Sequence, residues 1–237
     1  MLIGNYFKNI NSKYKNHYFT GINFNSKDIK KNNIFFAIRG THKNGNYYIK
    51  EAIKKGATTI VSSLNFQGFK NKILYIKTNN SRKILSKIAS KIYKDKPKNL
   101  IAVTGTNGKS SIVNFYYQIL ELSNKKVASI GTLGIKTSYS NVEIKNTSLD
   151  TISLNKYLQK IKSLKIANVI LEASSHGLKQ HRLDGVNFNT GIFTNLSRDH
   201  LDYHKSYKDY LNSKLILFKN LIKKNSNVIT DRDISEY

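Results

Sequence analysis

The chain has 237 residues, 39% of them hydrophobic, enough for one large or two ordinary globular domains. It has no cysteine, which excludes disulfides and thiolate chemistry, and no apolar run near the roughly 20 residues that span a bilayer. A formal charge of +26, from 40 Lys+Arg against 14 Asp+Glu, suggests a polyanion partner, but the lysines are scattered in ones and twos from Lys8 to Lys224 rather than clustered into a phosphate-binding stripe.

The opening "MLIGNYFKNINSKYK" lacks the apolar stretch and cleavage site of a signal peptide, so a cytoplasmic protein is expected. Residues 1–97 read as a small α/β unit. A strand "NNIFFAIRG" is followed by a helix through Tyr48, Ile49, Ala52 and Ile53, then by strands "ATTIVSS" and "KILYIKT". A helix carrying Ile84, Leu85, Ile88, Ala89 and Ile92 closes it. Pro97, in the polar run "YKDKPKN", discourages helix continuation and marks the boundary.

Residues 98–237 repeat strand and helix. "LIAVT" leads through a glycine loop into a helix from Ile112 to Leu122, then come "KVASIGT" and a helix with Leu154, Tyr157, Leu158, Ile161 and Leu164. "ANVILEAS", "TGIFTNL", a helix over 206–222 and a strand beginning at "NVIT" complete the series, after which the chain ends abruptly. Such alternation predicts a mostly parallel sheet covered on both faces, with ligands at the C-terminal ends of its strands.

Four segments carry chemistry. "IAVTGTNGKSS" sits between an apolar strand and a helix, as a phosphate loop must, although Val103 stands where the usual G-x-x-x-x-G-K-[ST] pattern has its first glycine. In "VILEASSHGLKQHR", Glu172 follows four apolar residues and so ends a strand in the loop's layer, where a carboxylate can share a Mg²⁺ with the Ser110 hydroxyl. "FTNLSRDHLDYH" packs Asp199, His200, Asp202 and His204 together, and four of the six histidines fall between His176 and His204. In the last helix Tyr207, Leu211, Phe218 and Leu221 form an apolar stripe with Lys214 at its centre; such a lysine must snorkel, pair or be chemically changed.

On these segments the chain resembles the Mur ligase family, whose phosphate loop reads T-G-T-N-G-K-[ST]-[ST] without the first glycine. "SSHGLKQHR" and "TNLSRDHLDYH" are similar to the branch that adds the third residue of the peptidoglycan stem peptide, and "FNSKDIKKNNIFFAIRGTHKNGNYYI" to that branch's uridine-binding domain. The resemblance implies a uridine-binding domain over 1–97, a P-loop ATPase domain over 98–237, and an absent third domain. It implies an ATP-dependent ligase that joins diaminopimelate or lysine to UDP-N-acetylmuramoyl-L-alanyl-D-glutamate through an acyl phosphate, working as a monomer without nucleic acid or membrane.

Carried over by motif, Gly105, Thr106, Asn107, Gly108, Lys109, Ser110 and Ser111 bind ATP. Phe24, Ser26, Thr41, His42 and Lys43 bind the uridine nucleotide, and Asn146, Thr147, Ser148, Ser174, Gln180 and Arg182 hold the muramoyl-dipeptide. Ser110, Glu172, His200 and Lys214 resemble the ligands of two Mg²⁺ ions, Lys214 as a CO₂-derived carbamate, and Lys109, Lys214 and His200 form the catalytic set. Three positions depart from the family: Asn25-Ser26-Lys27 replaces Asp-Ser-Arg, Leu149 replaces a proline, and Asn44-Gly45 replaces an aspartate-glycine turn. A nucleotide-sugar-binding module without turnover and a nucleic-acid-dependent P-loop ATPase are the readings that remain beside the ligase.

Overall fold

Apolar strands alternating with helices build one sheet in each of two units, Met1–Ile92 and Tyr93–Tyr237, in the computed structural model, which describes all residues except 9, 41–42, 145–147, 233 and 235–237. The division falls ahead of Pro97.

In the first unit, strands β1 (Gly21–Asn23), β2 (Asn33–Phe36), β3 (Ala57–Ser62), β4 (Gly68–Lys70) and β5 (Ile73–Lys77) lie in the order β1-β2-β3-β5-β4. All pairs are parallel except β4 with β5. Every residue of β2 is buried, as expected of a strand covered on both faces. Helix α1 (Ile49–Lys54) sets Ile49 and Ala52 against Phe35, Ala37 and Ile60, and α2 (Ser81–Ile92) buries Leu85, Ile88 and Ala89. The three-residue strands β1 and β4 are too short to show an alternation in the sequence. Asn44 replaces the family's aspartate without loss of local structure, because its side chain still accepts from Asn46 N at 3.1 Å and caps the turn into α1. Gly45 is required there: a Cβ would lie 2.4 Å from Ile38 N.

The second unit contains β6 (Asn99–Thr104), α3 (Lys109–Leu122), β7 (Val127–Gly131), β8 (Gly134–Thr137), β9 (Ser140–Val142) and α4 (Thr151–Ser163). It continues through β10 (Asn168–Glu172), α5 (Ser175–Lys179), β11 (Phe188–Phe193), α6 (Tyr207–Ile216) and β12 (Ile222–Thr230). The sheet order is β12-β11-β6-β10-β7-β8-β9, parallel from β12 to β7 and antiparallel in the β7-β8-β9 meander. Leu154, Leu158 and Ile161 of α4 fill the core on one face. Val113 of α3 meets Val103 and Ile170 in a second cluster. Asp150 caps α4 by accepting from Ile152 N at 2.9 Å and Ser153 N at 3.0 Å, so Leu149 in the proline's place leaves this cap formed.

The expected helix over 206–222 is corrected. The α-helix stops at Ile216, a π-helical turn spans Leu217–Leu221, and β12 begins at Ile222, where pairing with Phe188 of β11 takes the chain into the sheet. The stripe changes with it. Tyr210, Ser213, Lys214, Leu217 and Leu221 are buried, whereas Tyr207, Leu211 and Phe218 lie half-buried at its border. The β8-β9 hairpin and the short α5 carry no sequence pattern strong enough to announce them.

Candidate functional site

Because β6 lies between β10 and β11, the C-terminal ends of three adjacent strands meet where the chain leaves β6, a topological switch point of a parallel sheet. Gly105 (φ 142°) and Gly108 (φ 81°) occupy backbone conformations that favour glycine, and Gly108 is the N-cap of α3. A Cβ on Gly105 would lie 1.9 Å from Thr194 Oγ1. The residues after β11 brace the loop. Thr106 N donates to Asn195 O at 2.9 Å, Asn107 N to Asn195 Oδ1 at 2.9 Å, and Thr194 Oγ1 to Asn107 O at 2.6 Å. Thr106 Oγ1 accepts from Ser197 N at 3.0 Å and meets the Tyr210 hydroxyl at 3.1 Å. Ser110 and Ser111 open α3, whose free N–H groups and dipole favour an anion.

Glu172 ends β10 and is 3% exposed. Its Oε1 accepts from Ser110 Oγ at 2.9 Å and Thr132 N at 2.8 Å, and its Oε2 from Thr132 Oγ1 at 3.2 Å. All three contacts donate to the carboxylate, so both of its oxygens are used as acceptors. Gly131 makes the room, since a Cβ there would lie 2.3 Å from Glu172 Oε1.

Two lysines converge on one carbonyl. Lys109 Nζ donates to Gly105 O at 3.0 Å and Thr106 O at 2.6 Å, while Lys214 Nζ reaches Gly105 O at 2.5 Å and lies 4.2 Å from the centre of the Tyr210 ring. Lys214 is 1% exposed. Burial, then the neighbouring charge of Lys109, pushes its amine down to about 7, with Asp199 acting the other way. Burial also lowers Lys109, opposed by Glu172 and Asp199.

His200 has a left-handed backbone (φ 52°), its Nε2 lies 3.4 Å from Asp199 Oδ2, and its ring meets His176 edge-on at 4.9 Å. Among the described residues no three His, Asp or Glu side chains stand together as a metal cluster. Of the expected metal set, Ser110 contacts Glu172 and Lys214 contacts the loop. Oxygen ligands from a hydroxyl and a carboxylate nevertheless suit Mg²⁺.

A second network adjoins α5. Ser148 Oγ and Ser174 Oγ are 2.8 Å apart, and Ser174 Oγ accepts from Gly177 N at 3.1 Å to cap α5. Arg182 Nη1 donates to Ser148 O at 2.7 Å, Arg182 Nη2 to Gln180 Oε1 at 2.9 Å, and Gln180 Nε2 to Tyr203 OH at 3.2 Å. Thus Ser148, Ser174, Gln180 and Arg182 come together; Asn146 and Thr147 lie outside the described residues.

In the first unit Phe24 and Lys43 are exposed, while Ser26 is buried with its hydroxyl donating to Glu51 Oε2 at 2.9 Å. Asn25 caps its turn by accepting from Lys27 N. Thr41 and His42 lie outside the described residues. Sequence reasoning missed Thr132, Asn195, Tyr210 and Glu51. Only Asn195 had a local signal, as a polar residue just past an apolar strand in the loop's layer.

Fold and site define a mostly parallel α/β protein with a glycine loop between strand and helix at its switch point. The chain belongs to the Mur ligase family: the family's middle domain matches residues 103–237 and its catalytic domain residues 18–93. It is similar to the UDP-N-acetylmuramoyl-L-alanyl-D-glutamate--2,6-diaminopimelate ligase of Rickettsia montanensis, 39% identical over 232 residues, which cover 96% of this chain and 48% of that one. A solved structure of a ligase of the same name superposes with TM-score 0.80 at 27% identity, over 97% of this chain and 46% of its own. The MurF ligase of Thermotoga maritima in complex with ADP shares the fold, with TM-score 0.58 at 18% identity, over 90% of this chain and 45% of its own. The chain spans about half the length of these relatives.

Proposed function

We propose that this chain carries the nucleotide and nucleotide-sugar machinery of an ATP-dependent ligase that joins diaminopimelate to UDP-N-acetylmuramoyl-L-alanyl-D-glutamate. The observation that carries the reading is the Ser110–Glu172 contact of 2.9 Å, which joins the hydroxyl of the phosphate loop to a buried strand-end carboxylate. Diaminopimelate is preferred to lysine because the Rickettsia montanensis relative is named for it. The protein acts as a monomer in the cytoplasm; among the described residues no helix is long and apolar enough to cross a membrane.

In this reading the α3 N-terminus and residues Gly105 to Ser111 hold the phosphates of ATP. Lys109 leaves the Gly105 and Thr106 carbonyls to neutralise charge on the transferring γ-phosphate, since phosphoryl transfer is mostly positioning and charge stabilisation. Ser110 and Glu172 would hold Mg²⁺, with His200 and Lys214 completing a two-ion set; such ions neutralise phosphate charge when bound. Ser148, Ser174, Gln180 and Arg182 hold the dipeptide so that its free carboxylate faces the γ-phosphate. That carboxylate attacks the γ-phosphorus and displaces ADP to give the acyl phosphate; the incoming amine then attacks the acyl carbon, and inorganic phosphate and a proton leave as the amide forms. Lys214, whose amine is pushed down to about 7, has enough neutral form near pH 7 to take up CO₂ as a carbamate, and it must then turn away from the Gly105 carbonyl. Phe24, Ser26, Thr41, His42 and Lys43 form the uridine end, with Ser26 held through Glu51.

Titration of Mg·ATP into the parent chain and into Lys109→Ala tests the loop. The parent is expected to bind saturably and the variant to lose binding. Equal affinity in the two would refute the assignment.

A further inference from the structure

One side chain bridges α5 and α6. His204, in the turn before α6, is 1% exposed, with its ring edge-on to Tyr203 at 4.9 Å and tilted against Tyr210 at 5.1 Å. Its Nε2 lies 3.0 Å from Oγ of Ser175, the first residue of α5. Its Nδ1 lies 3.4 Å from Ser213 Oγ and 3.7 Å from Asp209 Oδ2, both in α6.

The directions of these hydrogen bonds can be worked out. Ser213 Oγ donates its only proton to the Asp209 carbonyl at 2.7 Å, so towards His204 its oxygen can only accept. The imidazole proton therefore sits on Nδ1, Nε2 is bare, and Ser175 donates to it. A single-file chain results, from the Ser175 hydroxyl through His204 and Ser213 to the backbone of α6. Each end abuts a functional position: Ser174 precedes Ser175, and Lys214 follows Ser213. A further polar tie between the helices, Lys179 with Asp209, is about one-third exposed on both side chains, where an ion pair holds weakly and is screened by salt. The buried neutral chain is not screened, and breaking it strands a polar group without water.

We propose that His204 is a positioning residue that fixes the register of α5 on α6, so that the hold of Lys214 on the Gly105 carbonyl depends on a hydrogen bond made at Ser175. What the two ends do rests on the function proposed above; the mechanical link does not.

The test uses the chain with ¹³Cε-labelled lysine. Lys214 lies over the Tyr210 ring, so its resonance is displaced by the ring current, and its disappearance in Lys214→Arg assigns it. Ser175→Ala, which cuts only the α5 end of the chain, is expected to move that resonance towards the position of a free lysine. His204→Phe, which keeps the ring and drops both bonds, is expected to do the same, and Ser175→Ala decides the matter if that variant fails to fold. An unmoved Lys214 resonance in folded Ser175→Ala, with only a lower melting temperature, would show that His204 merely fills space and overturn the proposal. The resonance is read without nucleotide, so a parent chain that binds no Mg·ATP overturns the proposed function and leaves this inference to be decided by the shift.

Discussion

Glu172 is held by three donors, and the proposed Mg²⁺ site draws on the charge of its carboxylate. Glu172→Gln keeps an acceptor for Ser110 and Thr132 and removes that charge. The variant is expected to fold with a melting temperature close to the parent's, while the Mg²⁺ dependence of ATP affinity disappears; an unchanged dependence would remove Glu172 from the metal site. Arg182→Ala is expected to weaken UDP-N-acetylmuramoyl-L-alanyl-D-glutamate binding about tenfold or more, since a charge-assisted contact to a carboxylate is worth roughly 1.5–3 kcal/mol. His204 gives a pH prediction. Burial first, then the Lys179 charge, pushes its imidazole down to about 4 from its ordinary 6.5. Between those values the unfolded chain binds more protons than the folded one, so stability is fully present above the upper value and falls as pH drops towards the lower. Melting curves of parent and His204→Phe between pH 7 and pH 4 should show the parent losing more stability.

The elements were legible where their pattern was long. The helix stripes of α2 and α4 and the apolar runs of β6 and β10 are plain in the sequence, and they place the loop and Glu172 in one layer. Lys214 was legible as a lysine on an apolar stripe, but the stripe was misread, because the buried face runs through Tyr210 and Ser213 and a π-helical turn resets the spacing after Ile216. Thr132 could not be found from sequence at all, since only the β6-β10-β7 strand order brings it to Glu172. Gly131 carries the prediction at this scale. Gly131→Ala would put a methyl 2.3 Å from Glu172 Oε1, so the carboxylate must move. The variant should lose both melting temperature and Mg²⁺-dependent nucleotide affinity, and parent-like values for both would show that the carboxylate has room to spare.

At the scale of the molecule, each unit carries a different end of the proposed chemistry. The first presents Phe24 and Lys43 at its surface, and the second gathers the phosphate loop and the Arg182 network. The charge of +26 is spread along the sequence of both, which suits the attraction of a small anionic substrate. The most direct test of the account is isothermal titration of the 237-residue chain with UDP-N-acetylmuramoyl-L-alanyl-D-glutamate in the presence of Mg·ATP, with a DNA oligonucleotide as the comparison. Saturable binding of the nucleotide sugar, weakened in Arg182→Ala, with no saturable binding of the oligonucleotide, is the predicted result. Oligonucleotide binding without nucleotide-sugar binding would contradict it.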